Sequence, residues 1–369
     1  MGRGIDILGT LTRVRPERVA RRLDGAQLQT VLIVKLSSIG DVVHALPVAS
    51  ALKQSFPHLR ITWAVERWTA VLVEGHPAVD RVVVFPTMVK WPEHVGRWRA
   101  DFCAALSALR DERYDVALDL QGLARSAMVS WLSRAPIRIA RAGQREGAHL
   151  VSDAVPLPAR EIHAVDEYLE VARSLGATVA PAQFALPVRA EARDSVDQLL
   201  TAHGVSAARP LIVISPSASV RWREWPLERW RAVVDALAER GTVIIIGERA
   251  RSAAHRGLIQ GAPSAVDLTG QTTLAEVVAL IERAALLLAP DTGSAHVAVA
   301  LGVPVLEVLG PTSSRRAGPY RPPALAISHG ERCEWACPTV CLHRHRCLSA
   351  VTVEEVVAGA EQLLRQQAI

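Results

Sequence analysis

Lysine is nearly missing from this 369-residue chain: Lys35, Lys53 and Lys90 are its only three, and the rest of its 42 basic side chains are arginine. Arginine grips anions through a planar fork. The imbalance reflects a GC-rich coding genome as much as chemistry, and the modest formal charge of +5 suits nucleic acid, an anionic membrane face or a phosphorylated substrate. No nucleic-acid-binding module signature occurs, so no nucleic acid partner is expected. Five cysteines in so long a chain do not make a secreted disulfide scaffold. No apolar run approaches the roughly 20 residues that span a bilayer. Residues 1–30 hold scattered arginines (Arg13, Arg15, Arg18, Arg21, Arg22) without the apolar core and cleavage site of a secretory signal. A cytoplasmic location is expected, with peripheral membrane contact left open. Three familiar motifs are absent as well: G-x-G-x-x-G, G-x-x-x-x-G-K-[ST] and G-x-S-x-G. A nicotinamide oxidoreductase, a P-loop kinase and a serine hydrolase each lose support.

What is present is apolar. Half the residues are hydrophobic, and at about 150 residues per domain the length suggests two cores. The continuous apolar run at residues 31–34 reads as a parallel strand covered on both faces. Further strands are expected at 61–65, 82–85 and 116–120, alternating with helices at 42–54 and 98–110. After a proline-marked stretch at 180–187, strands are expected at 211–214, 243–246, 265–268, 286–288 and 305–308, with helices at 227–239 and 274–284. Alternation of this kind implies βαβ units and parallel sheets. The expected layout is an N-terminal extension (1–30), two Rossmann-like domains (31–185 and 186–350) and a C-terminal helix near the domain junction (351–369).

In open parallel sheets, ligands sit beyond the carboxyl ends of the strands, which selects three loops. Residues 35–41 read KLSSIGD: Gly40 permits a tight strand-to-helix turn, and free amides at the helix start suit an anion. Asp41 could take a proton from an attacking hydroxyl or simply cap the helix. Residues 289–296 read APDTGSAH: Asp291, Thr292 and Gly293 open a helix suited to a diphosphate, with His296 in its first turn as a further donor or as a buried core histidine. Residues 215–226 read SPSASVRWREWP and offer hydroxyls and two cations, Arg221 and Arg223, which could hold phosphate oxygens or form a solvated turn.

Together these loops resemble the glycosyltransferase family that contains the lipopolysaccharide heptosyltransferases. The matching segments are 31–47 (VLIVKLSSIGDVVHALP), 119–127 (DLQGLARSA), 163–166 (HAVD), 215–226 and 290–312 (PDTGSAHVAVALGVPVLEVLGPT), in the family's order across residues 31–350. The resemblance implies an α/β chain of GT-B fold, two facing Rossmann-like domains with parallel sheets. It also implies inverting transfer that needs no metal cofactor, with an ADP-sugar donor held by the second domain and a lipid-linked saccharide acceptor by the first. Asp41 matches the family's catalytic carboxylate. Ser38 and Gly40 would help seat the donor, with Ser217, Ala218, Ser219, Asp291, Thr292, Gly293 and His296. Two positions depart from the pattern: Arg223 stands where the family usually has lysine, and Glu248 is a stand-in for the glutamate of a Gly-Gly-Pro-x-Glu segment. Segments 31–47 and 119–127 look more like the first heptosyltransferase, which acts on Kdo-lipid A, whereas the Cys-rich tail looks more like the second enzyme or a more distant branch.

Acceptor contacts are expected from Gln121 and Arg125 and from the cation-aromatic stretch around Lys90, Arg97 and Arg99, which suits an anionic sugar-lipid at the inner membrane surface or a half-buried amphipathic helix. Cys333, Cys337, Cys341 and Cys347 could hold a structural zinc or iron, although their spacing is not that of a common zinc site, or could fasten a loop as thiols. Other readings are a related transferase for another glycan or a protein, and a nucleotide-sugar binding protein without catalysis.

Overall fold

The computed structural model describes residues 27–88, 94–158, 160–179, 181–330 and 346–367. The chain forms two compact units. One runs to Ser37 and takes in His44–Arg160 and Val165–Ala185; the other takes in Ser38–Val43, Glu161–Ala164 and everything from Leu186 onward.

The first unit is built on six parallel strands: β1 (Thr30–Val34), β2 (Arg60–Glu66), β3 (Arg81–Phe85), β4 (Val116–Asp119), β5 (Ile137–Ala140) and β6 (Asp153–Ala154). Their order is β3-β2-β1-β4-β5-β6. β1 lies between β2 and β4, with Val34 beside Ala64 on one side and Asp119 on the other. Residues Val31 to Val34 are all fully buried, as an apolar run covered on both faces should be. Leu32 and Val34 pack with Val83, Phe85 and Leu109 beneath the Val95–Arg110 helix.

The second unit repeats the plan with β7 (Leu211–Ile214), β8 (Thr242–Ile245), β9 (Ala265–Asp267), β10 (Leu286–Pro290), β11 (Val305–Leu309) and β12 (Ala324–Ser328), ordered β12-β11-β10-β7-β8-β9. Counted within its own unit, this is the strand order of the first. The expected strands are therefore all present, and β5, β6 and β12 are additions. One face of this sheet packs Ile214, Leu288, Leu306 and Val308 against Trp230, Val356, Ala360 and Leu363. The last helix, Val353–Gln367, lies on this face. It sits close because Gly359 has no side chain: a Cβ there would come 2.7 Å from Leu325 and 2.9 Å from Leu306.

In both sheets the order reverses beside the first strand. That places a switch point at β1/β4 in one unit and at β7/β10 in the other, with the crevice at the strands' carboxyl ends. Among the described residues no helix is long and apolar enough to cross a membrane.

Candidate active site

At the β1/β4 switch point the loop leaving β1 is tied to the loop leaving β4. Gln121 Oε1 accepts from the amides of Leu36 (2.9 Å) and Ser37 (3.4 Å). Arg125 donates to Ser37 Oγ at 2.9 Å and pairs with Glu66 at 3.1 Å. Glu66 is fully buried and also accepts from Trp68 Nε1. Asp119, equally buried, accepts from the amides of Gln121 (3.0 Å) and Gly122 (2.9 Å) and from Ser126 Oγ (3.0 Å). Burial pushes its carboxyl above the usual range, against the pull of those donors and of Lys35. Gln121 and Arg125, read from the sequence as acceptor contacts, thus brace the β1 loop.

That loop feeds the Ile39–Ser55 helix. Ser38 Oγ donates to Asp41 Oδ2 at 2.9 Å, and the Ser38 amide lies 3.5 Å from the same oxygen. Both partners sit at the helix start, as in a capping box. Asp41 is half-buried.

At the β7/β10 switch point the loops following those two strands meet. Asp291, buried at the end of β10, pairs with Arg223 at 3.0 Å and accepts from Thr312 Oγ1 at 2.8 Å. His296 Nε2 is 3.8 Å from its other oxygen, an ion contact rather than a hydrogen bond. Burial favours the neutral acid, but His296, Arg223 and Thr312 outweigh it and hold the Asp291 carboxyl below the usual range. For His296 burial works against the cation, yet Asp291, Glu307 and Asp41 raise its pKa above the ordinary imidazole value.

Two glycines allow the approach. A Cβ on Gly40 would lie 2.4 Å from His296 Cδ2, and one on Gly293 would lie 2.7 Å from Ile39 Cγ2. Thr292 is the N-cap of the Gly293–Leu301 helix and makes no side-chain cap bond, leaving the free amides of a helix start. Beside them, the buried Arg223 Nε and Ser294 Oγ have no hydrogen-bond partner. Unmet donors at a helix N-terminus are what an oxyanion satisfies. Ser294 escaped the sequence reading, although it lies inside the APDTGSAH segment that drew attention to its neighbours.

Ser217 Oγ lies 2.8 Å from His255 Nε2, and His255 Nδ1 lies 3.0 Å from Thr269 Oγ1. Burial holds His255 below its ordinary value, Asp267 opposing and Arg251 assisting. The Ala218 amide donates to Glu224 Oε1 (3.3 Å), which also accepts from Arg251 (2.7 Å). His255, Thr269, Glu224 and Arg251 therefore shape this loop, and none was read as functional. Ser219 and Glu248 are exposed.

Of the remaining candidates, Arg97 and Arg99 are exposed on the Val95–Arg110 helix. Trp98 between them donates to Thr87 O at 3.0 Å and stacks on Phe102. Lys90 lies outside the described residues, as do Cys333, Cys337 and Cys341; Cys347 is buried. Among the described residues no group of three or more His, Cys, Asp or Glu could hold a metal ion, so the reading of a structural zinc or iron has no support there. His163, from the matched 163–166 segment, lies 2.9 Å from Gly318 O and packs on Tyr320.

The fold is shared with solved structures. A family 9 glycosyltransferase from Veillonella parvula superposes with a TM-score of 0.79 at 21% identity, covering 94% of this chain and 99% of that one. The E. coli heptosyltransferase WaaC, solved with ADP-2-deoxy-2-fluoro heptose, does so with a TM-score of 0.67 at 25% identity, over 92% and 99%. Fold and switch-point loops define a glycosyltransferase of the GT-B class. The chain belongs to glycosyltransferase family 9 (heptosyltransferase), whose pattern matches residues 103–344. It is 30% identical over 312 residues to lipopolysaccharide heptosyltransferase 1 of Escherichia coli strain K12, covering 79% of this chain and 90% of that protein.

Proposed function

We propose that this enzyme moves a heptose from ADP-heptose to an inner-core sugar of lipopolysaccharide, with Asp41 as general base. The observation that carries this is the cluster of Asp41, His296, Asp291 and Arg223, next to unmet donors at Ser294 and Arg223. A diphosphate on the Gly293–Leu301 helix start would gain the helix dipole, the His296 ring as a donor and the Arg223 fork. The acceptor hydroxyl gives its proton to Asp41 as its oxygen bonds to the anomeric carbon. The bond from that carbon to the phosphate oxygen breaks, and ADP leaves with the electron pair on the opposite face. Arg223 and His296 stabilise the charge that builds on the departing diphosphate. Ser217, Ala218 and Ser219 approach the nucleoside side, with Glu248 as a ribose contact. The acceptor lies on the first unit, near Arg97 and Arg99, at the cytoplasmic face of the inner membrane.

Asp41→Asn keeps an acceptor for Ser38 and so leaves folding intact. General-base removal costs about 10²–10⁴-fold in rate, measured as ADP released with Kdo-lipid A. A rate within a few-fold of wild type rules the base role out. Thermal shifts with ADP, UDP and GDP test the donor. Saturation near 100-fold over Kd gives about 2.7 kcal/mol of stabilisation, expected for ADP alone. Binding of ADP-heptose without turnover on any glycolipid would instead favour a non-catalytic nucleotide-sugar protein.

A further inference from the structure

Glu307 is a carboxyl with no packing reason to be where it is. It sits mid-strand in β11, fully buried, level with Ala289 of β10 and Ala326 of β12. Its neighbours Leu306 and Val308 point into the core beneath the Val353–Gln367 helix. Alternation along a strand sends Glu307 to the other face, where the Gly293–Leu301 helix lies against β10 and β11. Neither of its oxygens has a hydrogen-bond partner. A polar group left so is costly, and alanine, as on both flanking strands, would fill the place without that penalty. The titratable groups it faces are His296 and Asp291. Asp41 acts on the same imidazole, and Arg223 is paired with Asp291.

We propose that Glu307 is a positioning residue that controls the charge beneath the diphosphate-binding helix start, so that its ionisation in alkaline solution weakens donor binding. The inference rests on the diphosphate reading of the Asp291–His296 turn given above. Burial lifts the Glu307 carboxyl to about 8, with His296 opposing and Asp291 assisting. Below that pH the acid is neutral, and Asp291 and Asp41 are the carboxylates that act on His296 at the helix start. Above it one further negative charge sits under the helix start in a region of low dielectric. That charge repels the diphosphate, for a loss of about tenfold in affinity.

The test is ADP binding by titration calorimetry across this range for the full chain and for Glu307→Gln and Glu307→Ala, with donor KM and kcat for each. Wild type should lose about tenfold in ADP affinity on passing pH 8, with donor KM rising. Both variants should bind with little change over the same range; agreement between them separates loss of the proton from loss of shape. Infrared spectra of the ligand-free protein should show a protonated carboxyl band that titrates near pH 8 in wild type and is missing from both variants. Parallel pH profiles for wild type and variants overturn the proposal, as does a variant whose affinity falls at lower pH than wild type, which would make His296 the titrating group. A pH-independent ADP affinity in wild type overturns this inference alone. No ADP binding at any pH overturns the diphosphate reading, and this inference with it.

Discussion

Replacing Gly40 by alanine probes the site at its tightest point. The new Cβ would lie 2.4 Å from His296 Cδ2 and 3.2 Å from Nε2. Ordinary carbon contact is about 3.5 Å, so the ring edge must retreat roughly 1 Å. His296 is 7% exposed, with Asp291 at 3.8 Å, so it has little room to retreat. Overpacking of this kind costs about 1–3 kcal/mol. Alanine in the first turn of a helix recovers up to about 1 kcal/mol relative to glycine, for a net loss of about 0–2 kcal/mol. Function should suffer more than stability. A catalytic or binding group misplaced by 1 Å can cost about 10²-fold, so donor KM should rise well beyond what the small fall in stability suggests. Urea unfolding and donor-dependent ADP release measure the two separately. If Gly40→Ala leaves both donor KM and stability unchanged, the packing of this helix start against His296 is not as described.

Three further outcomes follow from the same geometry. Arg223→Ala strips the 3.0 Å partner from buried Asp291; it should raise donor KM about 10–100-fold and cost about 1–3 kcal/mol, the arginine being partly exposed. Arg223→Lys restores the charge and should recover most of the KM, and equal KM values for all three forms would refute the diphosphate role. Asp119→Asn places an amide where three donors converge and should cost about 2–4 kcal/mol in urea unfolding; a loss under about 0.5 kcal/mol would show that the β1 and β4 loops do not depend on it. His76 is buried, with Nε2 donating to Phe184 O and Nδ1 accepting from the Ala78 amide. Burial lowers its pKa to about 4, the Phe184 bond opposing. The unfolded chain therefore takes up a proton from pH 6.5 downward while the folded chain waits until about 4. Stability from this group is full above 6.5 and falls by about 3 kcal/mol as pH drops through that window. Parallel urea melts of wild type and His76→Asn between those limits should diverge, wild type showing the steeper decline.

The parts of the fold that could be read from sequence are those with one-sided physics. Runs such as Val31 to Val34 and Leu211–Ile214 have no polar residue and are buried on both faces, so composition alone marks them. β5 carries Arg138, which reaches back to Val151 O, and β6 is two residues long. β12 is an edge strand, half-buried throughout. β5 and β6 give no apolar run and hide among loops; β12 does carry one, Ala324 to Ile327, and went unassigned. Helix starts were blurred for a related reason: Gly40 reads as a turn residue, and the Ile39–Ser55 helix in fact begins one residue earlier. The three candidate loops could be singled out because each follows the carboxyl end of an apolar strand. Their partners could not. Ser217 and His255 are 38 positions apart, and Glu307 reads in sequence as one polar break in a core strand. Such pairings depend on which crossover lands beside which strand.

The two units share a strand order but treat their switch points differently, and that difference bears on which should take the nucleotide. At β1/β4 the amides of Leu36 and Ser37 are already occupied by Gln121 Oε1. Arg125 there is engaged by buried Glu66 and by Ser37. An anion arriving at that point would have to displace a buried carboxylate from its cation, at a cost of several kcal/mol. At β7/β10 the N-cap Thr292 makes no side-chain bond to the helix it opens. Arg223 keeps an unmet Nε and Ser294 an unmet hydroxyl even with Asp291 in place. Asp291 thus holds one edge of the guanidinium and leaves donors over, as a residue that orients a phosphate-binding arginine should. Equal topology gives both sheets a crevice; the second, with donors to spare, is the one suited to a diphosphate.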